Sequence, residues 1–136
     1  MLNITIGHEN ARIPLAVMKL EGELDAATYL DVIARARQLS EQGTRHILLD
    51  LGDLTYMGSS GLFAIRSVAM LLSGAEPPDP EDGWSAMHAT ESGESEAVKS
   101  LKLLDPQPQV DRVLERAGLK RFFETYTDRA TAIGSF

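Results

Sequence analysis

Two adjacent serines, Ser59 and Ser60, stand between Gly58 and Gly61 where an apolar run gives way to a helical pattern. Hydroxyls at such a junction have three chemistries open to them. As a helix cap, a serine oxygen accepts one of the first-turn N–H groups that a helix leaves unpaired. As a nucleophile, it needs a base. His8, His46 and His88 have no spacing that suggests a triad, and "MGSSG" is one residue out of register with the strained G-x-S-x-G elbow. As a phosphoacceptor, it needs access and a favourable field. A helix N-terminus stabilises the roughly −1.5 to −2 charge of a phosphoserine, and bare glycines let another protein's active site approach. A phosphoryl group there would also change any partner surface centred on it, which makes a binary switch.

The carboxylates offer less. Asp50 ends a buried run, where a receiver domain carries its phosphorylated aspartate. That chemistry also needs acids after the first strand to hold magnesium and a lysine after the last strand. "LNITIGHEN" supplies only Glu9, and "RFFETYT" ends without lysine. Asp50 and Asp53 therefore read as strand-end and turn residues. Glu23, Asp25 and Asp31 read as a cap and a solvated helix face rather than metal ligands. No metal and no cofactor is expected. Tyr56 and Met57 precede the serines, either as a partner-facing patch or with one of them packed inward.

The elements that must position these residues follow from periodicity. "LNITI" alternates, so Leu2, Ile4 and Ile6 face a core from a first strand. A second strand runs from about Leu15 to Leu20 and stops near Gly22. A helix follows, N-capped by Asp25, with Leu30, Ile33 and Leu39 on its apolar stripe and Gly43 at its end. "HILLDL" has consecutive apolar residues, as a strand covered on both faces does. The next helix, about Ser60 to Leu72, places Leu62, Ile65, Ala69 and Leu72 on one buried face. "LKLLD" is a strand, and "PQVDRVLERAGL" a helix with Val110, Val113, Leu114 and Ala117 apolar and Gly118 at its end. "RFFETY" is a last strand and "DRATAIGSF" a short last helix. Strands alternating with helices predict one α/β domain with a largely parallel sheet.

The chain of 136 residues has no cysteine, which excludes disulfides and thiolate metal sites. No apolar run is long enough to span a bilayer, so no membrane insertion is expected. "MLNITIGHENARIP" has no basic flank ahead of an apolar core, so no secretory signal is expected and the location read here is cytoplasmic. The net charge of −7 is uneven: residues 73–100 carry −6 and the rest about −1. No basic stripe exists to neutralise phosphates, which argues against nucleic acid. The stretch 73–100 is acidic, rich in Pro, Gly and Ser, without period, and too long for an ordinary connection. It reads as a solvated, disordered insertion, or, through Trp84 and Met87, as a tethered docking or inhibitory segment.

"EGELDAATY" followed by "ILLDLGDLTYMGSSGL" resembles the STAS domain, the anti-sigma-factor antagonist family of bacteria. That family carries a G-E-L-D type segment after its second strand and a D-[ST]-[ST]-G-L loop between its third strand and second helix. The tail from Leu101 to Ile133 is similar to the family's closing portion. The resemblance implies a STAS-like single domain, with a small mixed, mostly parallel sheet of about five strands and about four flanking helices, and no catalysis. It implies a partner: a serine kinase of the histidine-kinase-like ATPase fold that doubles as anti-sigma factor. That kinase phosphorylates the loop's first hydroxyl residue, and a PP2C-type phosphatase resets it. The matching residue is Ser59, with Ser60 second. Glu23 and Asp25, within Gly22–Asp25, match the segment that helps dock the kinase, beside Tyr56, Met57, Gly58, Ser59, Ser60 and Gly61. Gly58 stands where the family usually has Asp, and the acidic insertion replaces a short turn. A STAS-type scaffold that is never phosphorylated, or a module binding a nucleotide or lipid, is the alternative.

Overall fold

Hydrophobic alternation and the turn at residues 11–13 build an antiparallel hairpin, β1 (Leu2–Asn10) and β2 (Pro14–Leu24), in the computed structural model, which describes residues 1–78 and 98–136. Leu2, Ile4 and Ile6 face the core as their alternation predicts, although β1 runs four residues past Ile6. Gly22 does not stop β2. It sits at φ +113 between two register shifts against the next strand, and a Cβ there would collide with the Met1 carbonyl oxygen. It is a bulge glycine that bends the strand and lets it continue.

α1 (Tyr29–Glu41) starts later than expected. Its N-cap position is Thr28, and Asp25 caps the preceding turn instead, accepting from the Ala27 N–H at 2.9 Å. The buried stripe is Val32, Ala36 and Leu39 with Ile33 packed at its edge; Leu30 is 52% exposed, a correction to the expected stripe. Leu30 lies almost half a helical turn from Val32, so it cannot share that face.

β3 (Ile47–Met57) is longer than "HILLDL" and buries Leu48, Leu49, Leu51 and Leu54. Asp50 and Asp53 therefore lie within a strand rather than at its end. The Gly52 N–H donates to Asp50 Oδ1, and Asp53 pairs with Lys19 at 2.9 Å. α2 (Ser59–Leu72) follows after one residue. All four stripe residues are buried, and so are Phe63, Ala64, Ser67, Val68 and Leu71, because α2 is covered by both the sheet and α1. Beyond it, Glu76 makes a bidentate pair with Arg37 of α1 at 2.8 and 3.0 Å. The docking idea for Trp84 and Met87, the disorder expected around them, and His88 lie outside the described residues.

β4 (Val98–Leu104) begins before "LKLLD". α3 (Pro108–Arg116) opens with proline at its first position, where the missing N–H costs nothing, and buries Val110 and Leu114. Ala117 lies past its end and is exposed. A 3-10 turn (Leu119–Arg121), β5 (Phe123–Tyr126) and α4 (Arg129–Gly134) complete the described fold.

The sheet order is β1-β2-β3-β4-β5, with β1 antiparallel to β2 and the rest parallel. Right-handed crossovers that always step in one direction put their helices on one face. The main core bears this out: residues of α1, α2 and α3 share it with Met18, Leu20, Leu49 and Leu101. The other face carries a smaller cluster of Leu15, Val17, Leu48 and Leu104 under Ala132 of α4. There the 4%-exposed Lys102 ammonium donates to the Ser135 carbonyl at 2.9 Å and pairs with Glu124 at 3.1 Å. The expected α/β class and mixed five-stranded sheet hold.

Candidate functional site

Parallel pairing of β2 and β3 sets Glu23 beside Tyr56 and Leu24 beside Met57. The last rung is Gly58 N–H to the Leu24 carbonyl at 3.0 Å. The two segments singled out in the sequence therefore lie side by side at the C-terminal ends of β2 and β3, where α2 starts. Thr28, which sequence reasoning missed, holds the first segment in place. Its hydroxyl donates to the Glu23 carbonyl at 2.8 Å and accepts from the Asp25 N–H at 3.0 Å. A hydroxyl three residues after Asp25 is the available signal for such a turn.

Gly58, not Ser59, is the N-cap of α2, with φ −95 and ψ −176, and no side chain caps the helix. Ser59 is the first helical residue and is exposed; Ser60 is half-buried. The capping role open to Ser59 is thus not the one it plays. No acidic residue lies in the first turn, so the helix's positive end is offset by no side chain of its own. Ser59 presents its hydroxyl to solvent at that end.

The rest of the segment divides into surface and floor. Tyr56 is 43% exposed, whereas Met57 is 2% exposed and packs inward. Gly61 is also buried: a Cβ there would lie 2.7 Å from Met57 Cγ and 3.0 Å from Leu24 Cγ. Met57 and Gly61 were expected among the partner-facing residues. They instead form the floor on which the first turn of α2 rests, since strand alternation turns Met57 to the side opposite Tyr56. Glu23 is exposed and 3.7 Å from the Met1 amino group; Asp25 is half-buried in its turn. A Cβ on Gly58 would touch Tyr56 at 3.3–3.7 Å, so the glycine is what lets that ring lie against the loop.

Nothing described assembles a nucleophilic centre around Ser59. His8 and His46 line a surface cavity of about 630 Å³ beside the start of β3. The length of β3 separates them from Ser59 by about 30 Å. Burial and the nearby Lys102 charge hold the His46 imidazole below its ordinary pKa. Among the described residues no three His, Asp or Glu side chains group as metal ligands, and no helix is long and apolar enough to cross a membrane.

Similar architectures occur in known proteins. An anti-sigma factor antagonist from Mycobacterium paratuberculosis superposes with a TM-score of 0.66 at 15% identity, over 98% of this chain and 92% of that one. SpoIIAA, an anti-sigma factor antagonist, in its unphosphorylated form gives 0.62 at 21% identity, over 96% and 93%. The phosphorylated form of the Bacillus cell fate determinant SpoIIAA gives 0.53 at 22% identity, over 96% of each chain. Residues 7–73, which carry both site segments, match the family model of the STAS domain. Residues 7–73 thus match the STAS domain, and the whole chain has a fold of the same architecture as these antagonists.

Proposed function

We propose that this chain is a non-catalytic, cytoplasmic anti-sigma-factor antagonist whose binding is switched by phosphorylation of Ser59. The observation that carries this is the exposed hydroxyl on the first residue of α2, uncapped, beside the Glu23–Asp25 turn. Its partner is a serine kinase of the histidine-kinase-like ATPase fold that also acts as anti-sigma factor. In the transfer, Ser59 Oγ attacks the γ-phosphorus of ATP and its proton passes to a base of the kinase. The bond to the β-phosphate oxygen breaks, and ADP leaves. A PP2C-type phosphatase reverses the modification by hydrolysis. The unmodified domain presents Glu23, Asp25, Tyr56, Gly58, Ser59 and Ser60 to the kinase and displaces the sigma factor. The phosphoryl group ends that complex by repulsion and desolvation.

Binding of two variants to the kinase tests the switch. Ser59→Asp is expected to weaken the complex with the fold intact, and Ser59→Ala to leave it binding-competent. Equal affinity of the two would refute the switch. Gly58 favours a second reading, a STAS scaffold or small-ligand module that is never phosphorylated. It removes the acid that this loop usually carries beside its acceptor, and the Tyr56 ring occupies the space.

A further inference from the structure

We propose that β1 is a self-association edge, on which a second copy of this chain adds its own β1 antiparallel about a two-fold axis at Ile6. Backbone direction along β1 is set by three observations. The Glu23 N–H donates to the Met1 carbonyl, the Ala16 N–H points away from β1 to the His46 carbonyl, and Pro14, which has no N–H, faces Asn10. The odd residues of β1 therefore bond β2, while Leu2, Ile4, Ile6, His8 and Asn10 turn their N–H and C=O groups outward. Among the described residues no strand pairs with that outer edge.

Exposed edges are ordinarily blocked by brevity, lysine, proline or a bulge. β5, at the other edge, has four residues; β1 has nine, without lysine, proline or register shift. The two-fold register that pairs all of Leu2–Asn10 sets Ile6 against Ile6, Ile4 against His8 and Leu2 against Asn10. On the opposite face it sets Asn3 against Glu9, so the strand's one carboxylate meets an amide rather than a like charge. About ten backbone hydrogen bonds form, and the half-buried flanks of Ile4 and Ile6 meet across the axis. Both Ser59 sites stay open, because β2 separates β1 from β3. One strand pair buries less than a standard interface, so the association is weak and set by concentration.

Velocity sedimentation of the full chain, from micromolar to near-millimolar concentration, is expected to show reversible conversion to twice the monomer mass. His8→Pro removes one outward N–H while leaving the β2 ladder and core untouched, and should weaken association at least about tenfold. His8→Ala keeps that N–H and should change little. The chain has no cysteine, so Ile6→Cys should cross-link on oxidation faster than an exposed control, Thr55→Cys. A monomer at every concentration, association unaffected by a folded His8→Pro, or no faster cross-linking by Ile6→Cys would overturn the proposal.

Discussion

Replacing Gly58 by aspartate tests whether this residue is the open cap of α2. The position has β-region dihedrals, which any L-residue adopts, so no backbone strain opposes the change. A carboxylate there can accept an orphan first-turn N–H. Aspartate exceeds glycine as a cap by a few tenths of a kcal/mol and alanine by about 1 kcal/mol. Its charge at the positive helix end adds about 0.3–1 kcal/mol, and the first turn holds no competing acid. The opposing cost is contact with Tyr56 at 3.3–3.7 Å. That ring is 43% exposed and free to swing outward, so the cost is at most about 0.5 kcal/mol. Gly58→Asp is therefore expected to stabilise by about 0.5 kcal/mol, and Gly58→Ala, with the same contact and no cap, to destabilise by about 1 kcal/mol. Urea denaturation of both variants isolates their difference, about 1.5 kcal/mol, from the shared steric cost. A capping carboxylate is favoured charged, so its folded pKa falls below the ordinary value. The difference is full above about pH 4 and is lost as pH falls through the lowered pKa. Equal stability of the two variants at neutral pH, or a difference that persists in acid, would refute the cap assignment.

Three further outcomes follow from the packing. Gly61→Ala drives a Cβ into Met57 and Leu24, neither of which has solvent to move into, and should destabilise by about 1–2 kcal/mol in thermal or urea melts despite alanine's better helix propensity. Lys102→Ala leaves Glu124 and the Ser135 carbonyl without their shared donor beneath α4 and should cost about 2 kcal/mol, read by the same melts. His46 should titrate by NMR below its ordinary value. Because its folded pKa is depressed, stability is full above about pH 6.5 and declines as pH falls below it, and His46→Asn should flatten that decline.

Much of this fold is written in local pattern. The alternation of Leu2, Ile4 and Ile6, the unbroken apolar run of β3 and the spacing along α2 each specify an element and its buried side. The misreadings have two causes, a contact distant in sequence at Gly22 and a neighbouring hydroxyl at Asp25. Gly22 looks like a terminator, yet the Met1 carbonyl beside it makes it a bulge. Asp25 is a good cap, but Thr28 three residues on diverts it to a separate turn and shifts the start of α1, while Leu30 falls on the side of the helix away from Val32, Ala36 and Leu39. Ser59 was legible because two glycines at a strand–helix junction leave a hydroxyl few other places to go. The sorting of Tyr56 to the surface and Met57 to the floor depends on the phase of β3 after its register shifts against β2, which no short stretch of sequence encodes.

The proposed switch depends on the Ser59 hydroxyl being the phosphoacceptor. Intact-mass analysis with site mapping, after incubation with ATP and the anti-sigma kinase, tests it most directly. One added phosphoryl group is expected, on Ser59, absent from Ser59→Ala. An unmodified chain under conditions that fully modify a control antagonist, or modification at another residue, would contradict it.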